Sequence, residues 1–300
     1  MLWRALCCFL LTAGPAFATA PRVVVSVKPL HALVAAVMHD VAEPELLITG
    51  AGSAHTYSLR PSDAKKLDEA TIIYWIGPGF ETFLEKPLAT VGRKAKAIDV
   101  MSAPDVRRLA ARKGGLWEAH DSHEATTAQE TDGHIWLDPD NAKAIVKKIM
   151  FTLIQADVAN AERYEQNAAR TITAIDALDR QLKAALTPVR DKPFIVFHDA
   201  YQYFERHYGL AGVGAITVTP DRTPGAARVA AIRKKIVDNG AKCVFAEPQF
   251  EPKLVSTLLD GTKARSGTLD PEGSTLNPGP NLYLELLLGL TNGLTNCLAQ

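Results

Sequence analysis

The hydrophobic pattern is clearest between Asn160 and Leu186, where apolar side chains recur every three or four residues. This spacing places them on one face of a helix, while Glu, Arg, Lys and Gln occupy the other face. Pro188 ends the pattern, and a helix of this length would span roughly 40 Å. Because strands and helices alternate on both sides of it, the pattern predicts a long, rigid helix joining two lobes. The alternative is one helix of a larger helical bundle.

Before this helix, short apolar runs rich in β-branched residues alternate with amphipathic segments. The β-α-β order indicates a parallel sheet with helices on both faces. The predicted strands cover residues 22–27, 45–48, 71–76 and 97–100, and the predicted helices cover 30–38, 61–69, 80–88 and 141–154.

The second half repeats this alternation. Strands are predicted at 193–197, 215–218 and 242–246, with a short one ending at 269, and helices at 201–208, 225–237, 253–259 and 282–298. The predicted fold class is therefore α/β, with two lobes of parallel sheets flanked by helices and joined by one long helix. We expect a signal peptide at 1–20, an N-terminal lobe at 21–156, the linking helix at 157–188 and a C-terminal lobe at 189–300.

The composition is that of a globular chain long enough for two domains. The chain has 300 residues, of which 47% are apolar and 22% charged, as in soluble domains. Its formal net charge is zero, so no global basic field favours nucleic acid as a partner. Without a strong exposed apolar repeat, a monomer is expected.

The first twenty residues have the pattern of an export signal. Arg4 precedes a short apolar run at 5–13, and two A-x-A sequences follow that would allow cleavage after Ala18 or Ala20. The run is too short to span a bilayer. The competing reading is a lipoprotein, but Cys7 and Cys8 precede most of the apolar run. An exported, periplasmic protein is therefore expected.

Two cysteines, Cys243 and Cys297, remain after such cleavage. An even pair in an oxidising compartment predicts a disulfide, which would tie the C-terminal helix to a strand of the second half. The alternative is two buried free thiols.

Three histidines, His55, His134 and His198, lie where short apolar elements meet loops, and Asp270 follows a short strand in the second half. The carboxyl ends of parallel strands face the ligand crevice, so these residues could meet in a cleft between the lobes. Three imidazoles and a carboxylate suit Zn²⁺, whereas Mn²⁺ prefers more carboxylates. The scattered spacing also allows each histidine to be structural.

Several segments resemble one family over nearly the whole chain that would follow cleavage. They are GSAHTYSLRPSDAKKLDEATIIYWIGPGFETFLEK, FIVFHDAYQYFERHYGL, CVFAEPQF and GTLDP. They are similar to the metal-specific solute-binding proteins of ABC transporters, and most similar to the zinc-binding type. The resemblance implies two α/β lobes joined by a long helix, with metal between them. It places the histidine ligands at His55, His134 and His198. Some members carry Glu before the first histidine, where this chain has Ala54, so Asp270 or water is expected to complete the site.

A polar segment at 113–133 contains His120 and His123. Zinc-binding members of the family have a His- and acid-rich loop here, so a second, weak metal site is one interpretation and a solvated linker is the other. Glu247, after the strand 242–246, could accept a hydrogen bond from an imidazole, or cap a helix or form a salt bridge.

These observations favour a non-enzymatic function. We expect a periplasmic protein that captures Zn²⁺ and delivers it to an ABC-transporter permease. The sequence leaves open whether a separate metallochaperone loads the protein with metal. The alternatives are a manganese- or iron-binding protein of the same fold, a surface adhesin of this fold, and a secreted zinc hydrolase. No H-E-x-x-H motif supports the hydrolase.

Overall fold

The chain forms two four-stranded sheets in which all neighbouring strands are parallel. A computed structural model describes residues 20–50, 52–112, 117, 131–217, 224–250 and 253–300. The strand orders are β2-β1-β3-β4 and β6-β5-β7-β8. The strands are β1 (Val23–Val25), β2 (Glu45–Leu46), β3 (Ile72–Trp75), β4 (Lys96–Asp99), β5 (Phe194–His198), β6 (Gly212–Thr217), β7 (Cys243–Ala246) and β8 (Arg265–Thr268).

Nine α-helices lie in the described part of the chain, and each pair of consecutive strands within a sheet is joined through a helix. They are α1 (Lys28–Val37), α2 (Pro61–Glu69), α3 (Thr82–Thr90), α4 (Pro139–Ala156), α5 (Ala161–Leu186), α6 (Gln202–Tyr208), α7 (Ala226–Asp238), α8 (Lys253–Leu259) and α9 (Leu282–Leu298). The predicted α/β class with two parallel sheets is confirmed. The bounds differ from the predictions by up to three residues: β6 begins three residues earlier, and α3 begins two residues later and contains Pro87.

The long helix α5 has 26 residues and follows the predicted hydrophobic face. Tyr164, Ala168, Ile175 and Leu182 on that face are all buried. The helix packs against α1 and α4 of the first half and against α9 of the second. It therefore links two sheet-containing halves, and the helical-bundle alternative is wrong.

One continuous hydrophobic core runs through both halves. It includes Val25 and Tyr74 of the first sheet, Phe194 and Phe245 of the second, and the inner face of α5. Each sheet also has a smaller core of its own on the opposite face. Burial of this shared apolar surface favours a fixed arrangement of the halves.

The topology creates a crevice at the carboxyl ends of the central strands. From β1 the chain crosses to β2 on one side and then to β3 on the other, and β5, β6 and β7 repeat this reversal. In open parallel sheets, ligands bind at such switch points. Both switch points are close to predicted site residues.

The predicted disulfide is confirmed, because Cys243 of β7 is joined to Cys297 of α9. The bond fastens the closing helix to the second sheet. Within the part of the chain that the structure describes, no helix is both long and apolar enough to cross a membrane.

Candidate metal centre

Three predicted ligands meet between the two halves. His55 lies in the loop between β2 and α2, His134 immediately precedes a short 3-10 turn before α4, and His198 is the last residue of β5. One ring nitrogen from each lies within 4.8 Å of the other two. The structure therefore brings together side chains separated by up to 143 positions, two from the first half and one from the second.

The spacing of the ring nitrogens suits a tetrahedral ion. The Nε2 atom of His134 lies 3.4 Å from that of His55 and 3.3 Å from that of His198. A zinc ion with Zn–N bonds of about 2.0–2.1 Å at tetrahedral angles holds its nitrogens about 3.3–3.4 Å apart. Two of the three nitrogen pairs therefore already have the separation that a tetrahedral zinc ion requires.

Buried carboxylates contact the Nδ1 atoms of two of the three imidazoles. Nδ1 of His134 lies 2.8 Å from Asp132 Oδ1, and Nδ1 of His198 lies 2.7 Å from Glu247 Oε1. Glu247 Oε1 also accepts a hydrogen bond from the Tyr201 hydroxyl. A carboxylate at Nδ1 places the ring hydrogen there and leaves the Nε2 lone pair for a metal.

Burial sets the charge of the histidines. It lowers the pKa of His55 and His134 well below the ordinary value, and the neighbouring histidines lower it further. Both rings are therefore neutral near pH 7, which is the form that binds metal. Burial alone would also lower the pKa of His198, but Glu247 raises it above the ordinary value.

The aromatic ring of Phe80 forms a wall of the site. It makes edge contacts with His55, His134 and Trp136. A Cβ atom on Gly133 would lie 2.4 Å from this ring, so the close approach requires glycine before His134. His134 and His198 are only 4% and 2% exposed, whereas His55 is partly exposed. An ion would therefore enter on the His55 side.

Asp270 is not part of this group. Its carboxylate accepts hydrogen bonds from the Gln249 amide, the Ser274 hydroxyl and the backbone N–H groups of Glu272 and Thr275. The side chain thus organises its own loop. The structure does not bring this predicted ligand to the three histidines.

Sequence reasoning allowed three roles for Glu247, and the structure assigns it the imidazole contact. Sequence reasoning did not identify Asp132, although an aspartate two residues before a candidate ligand could have indicated a partner for the imidazole. It also missed Glu272, a carboxylate that is 5% exposed and accepts a hydrogen bond from Ser53. His120 and His123 lie outside the described residues.

A second cluster, formed by Asp138, Asp140 and His207, has metal-like spacing. Its carboxylates already have cationic partners. His207 Nδ1 lies 3.1 Å from Asp138 and Nε2 lies 2.8 Å from Asp179 of α5, while further cations reach the same carboxylates. These are Arg107 on Asp138, Lys143 on Asp140 and Lys183 on Asp179. The cluster is an ion network that joins α4, α5 and α6.

Comparisons with known proteins identify the family. The family model "Zinc-uptake complex component A periplasmic" matches residues 23–297. The high-affinity zinc uptake system protein ZnuA of Brucella suis is 48% identical over 93% of this chain and 92% of that protein. The protein of the same name from Paracoccus denitrificans is 39% identical over 95% and 94%, respectively.

Solved structures share the fold. A crystal structure of ZnuA superposes with a TM-score of 0.78 and 25% identity, covering 93% of this chain and 99% of that one. FpvC from Pseudomonas aeruginosa, solved with Mn²⁺, gives a TM-score of 0.81 at 20% identity, covering 93% and 99%. Because the family model matches nearly the whole chain and the relatives are up to 48% identical, this chain belongs to the periplasmic components of zinc-uptake systems, which are solute-binding proteins and not enzymes.

Proposed function

We propose that this protein captures Zn²⁺ with His55, His134 and His198 and delivers it to the membrane permease of an ABC transporter. The observation that carries the proposal is the convergence of the three imidazoles, with Nε2 of His134 3.4 Å from that of His55 and 3.3 Å from that of His198. Membership in a zinc-uptake family supports the metal and the permease partner. Asp270 or water was predicted as the fourth ligand.

The donor set favours zinc over the manganese or iron alternative. Neutral imidazole nitrogens suit Zn²⁺, whereas Mn²⁺ is better served by carboxylate and other oxygen ligands. Because protons compete with the metal for the same nitrogens, acid should weaken binding. The secreted-hydrolase alternative is excluded by the family, whose members are binding proteins.

Competition binding tests the ligand assignment. Protein lacking residues 1–20 is stripped of metal and offered equimolar Zn²⁺ and Mn²⁺. One tightly held zinc is expected. Each of His55→Ala, His134→Ala and His198→Ala should weaken zinc binding by more than about a hundredfold, beyond the loss of an outer hydrogen-bond partner. His39→Ala, on the surface at the end of α1, is the matched control. Preference for manganese would contradict the proposal.

Delivery requires a separate test. Zinc-loaded protein is mixed with its permease in proteoliposomes, and uptake of the metal is measured with and without ATP. Transport by the native protein, and none by His198→Ala, supports delivery. The same assay with His120→Ala/His123→Ala shows whether the 113–133 segment contributes, and a metallochaperone would appear as faster loading of the stripped protein.

A further inference from the structure

Three histidines leave one position of a tetrahedral site unfilled. Most carboxylates near the site already have a partner. Asp132 and Glu247 hold the ligand imidazoles, and Arg112 binds both Asp199 and Glu205. Each would have to give up a buried ion pair or hydrogen bond to reach a metal.

Asp270 is engaged in the same way. Five donor groups from its own loop and from Gln249 lie within hydrogen-bond distance of its two oxygens. Turning this carboxylate toward the histidines would break these hydrogen bonds. The loop conformation therefore opposes Asp270 as a ligand.

Glu272, two residues further on, is in a different position. It is 5% exposed, and among the described residues its carboxylate accepts only one hydrogen bond, a 3.3 Å contact from the Ser53 hydroxyl. Burial raises the pKa of its carboxyl to about 7, and attraction to His198 opposes that rise. A buried carboxylate with so few partners is costly unless a cation is near.

The loop that carries Glu272 is fastened across the cleft to the first half. The Lys28 ammonium donates to the carbonyl oxygens of Gly273, Ser274 and Leu276, and the Trp136 indole N–H donates to that of Pro271. These contacts fix the backbone on both sides of Glu272 and do not involve its side chain.

Ser53 connects this side chain to a ligand. Its hydroxyl oxygen donates to Glu272 and accepts from the backbone N–H of His55. Glu272 thus lies beside the loop that carries His55.

We propose that Glu272, and not Asp270, supplies the carboxylate that completes the zinc site. Glu272 is outside the group of atoms within 4.8 Å of one another, so its side chain must rotate to reach the ion. That rotation gives up only the long hydrogen bond from Ser53. This inference rests on zinc binding by the three histidines.

Cobalt substitution tests the proposal, because Co²⁺ takes similar sites and has a visible spectrum. Stripped protein is loaded with Co²⁺ and titrated with azide, which binds a metal only where a coordination position is open or holds water. Native protein and Asp270→Asn should show no azide response. Glu272→Ala should show one, and Glu272→Gln should bind zinc at least about tenfold more weakly than native protein, as expected when a carboxylate partner is lost.

The experiment distinguishes failure of the Glu272 proposal from failure of the proposed function. An azide response in the native protein, or one that appears in Asp270→Asn and not in Glu272→Ala, would overturn the role of Glu272 while leaving the three histidines in place. Failure of the native protein to bind zinc or cobalt would instead overturn the proposed function. Thermal unfolding of each variant shows whether it is folded.

Discussion

At the scale of single residues, the orientation of the imidazoles matters as much as their presence. His134 and His198 each point Nε2 toward the other ligands because a buried carboxylate holds Nδ1. Outer partners of this kind fix the tautomer and raise the basicity of the ligand. Zinc affinity should therefore depend on Asp132 and Glu247 although neither touches the ion.

Glu247→Gln tests this dependence. The amide keeps the shape of the side chain but removes the charge that holds His198, so zinc affinity should fall by about 10- to 100-fold. Competition with a chelator measures the change. Tyr201→Phe, which removes only one neighbouring hydrogen bond to Glu247, is the control and should have a smaller effect. Unchanged affinity in Glu247→Gln would show that the carboxylate does not tune the site.

The histidines could be found from the sequence because each lies where a short apolar element meets a loop, and the carboxyl ends of parallel strands face a ligand crevice. The choice between Asp270 and Glu272 could not be made in this way. The two carboxylates lie in the same loop, and only the folded turn shows that Asp270 accepts the loop's own hydrogen bonds. The role of Asp132 depends on its contact with the His134 imidazole, which the hydrophobic pattern of the sequence does not reveal.

At the scale of secondary structure, the sequence is more informative. The apolar face of α5 predicts the linking helix, and the β-branched runs predict the strands of both sheets. These patterns arise because a helix buries one apolar stripe and a parallel sheet buries both of its faces. The ends of short elements are less predictable: β2 has two residues and not four, since its pairing with β1 ends at Leu46.

The disulfide between β7 and α9 should contribute to stability. It closes a loop with a sequence separation of 54 residues, for which loop-closure entropy corresponds to about 4 kcal/mol. Cys243→Ser/Cys297→Ser should lower the free energy of unfolding by about 2–4 kcal/mol in urea titrations. Equal stability of this variant and the oxidised native protein would contradict this prediction.

The ion network of His207 predicts a pH-dependent contribution to stability. Burial alone would lower the pKa of His207, but Asp138 and Asp179 raise it above the ordinary value. The stabilisation is therefore fully present below the unfolded-state pKa of about 6.5 and is lost as the pH rises through the folded-state value.

His207→Gln should thus destabilise the protein by roughly 1–3 kcal/mol at pH 6 and by less at pH 9. Urea unfolding of the native and variant proteins at both pH values measures the difference. His39→Gln, at an exposed position, should show no such pH dependence. A destabilisation that is the same at both values would contradict a charged His207 in the folded protein.

At the scale of the whole molecule, the halves are not independent bodies. They share one hydrophobic core, the long helix packs against both, and Lys28 fastens the loop of Glu272 across the cleft. Opening the halves widely would expose core side chains to water, which the hydrophobic effect opposes. Zinc binding should therefore move side chains and loops more than it moves the halves.

Small-angle scattering tests this rigidity. A compact chain of this length has a radius of gyration of about 19 Å, and the stripped and zinc-loaded proteins should agree within about 5% of that value. A larger decrease on zinc binding would indicate hinge closure of the halves and contradict the shared core as a rigid link.

The most direct test of the central claim is a crystal structure of the zinc-loaded protein with diffraction data collected on both sides of the zinc absorption edge. The anomalous signal locates the ion without reference to the protein coordinates. We predict one strong peak between the halves, about 2.0–2.1 Å from the Nε2 atoms of His55, His134 and His198. A peak elsewhere, or an ion bound by fewer than two of these histidines, would contradict the proposed zinc site.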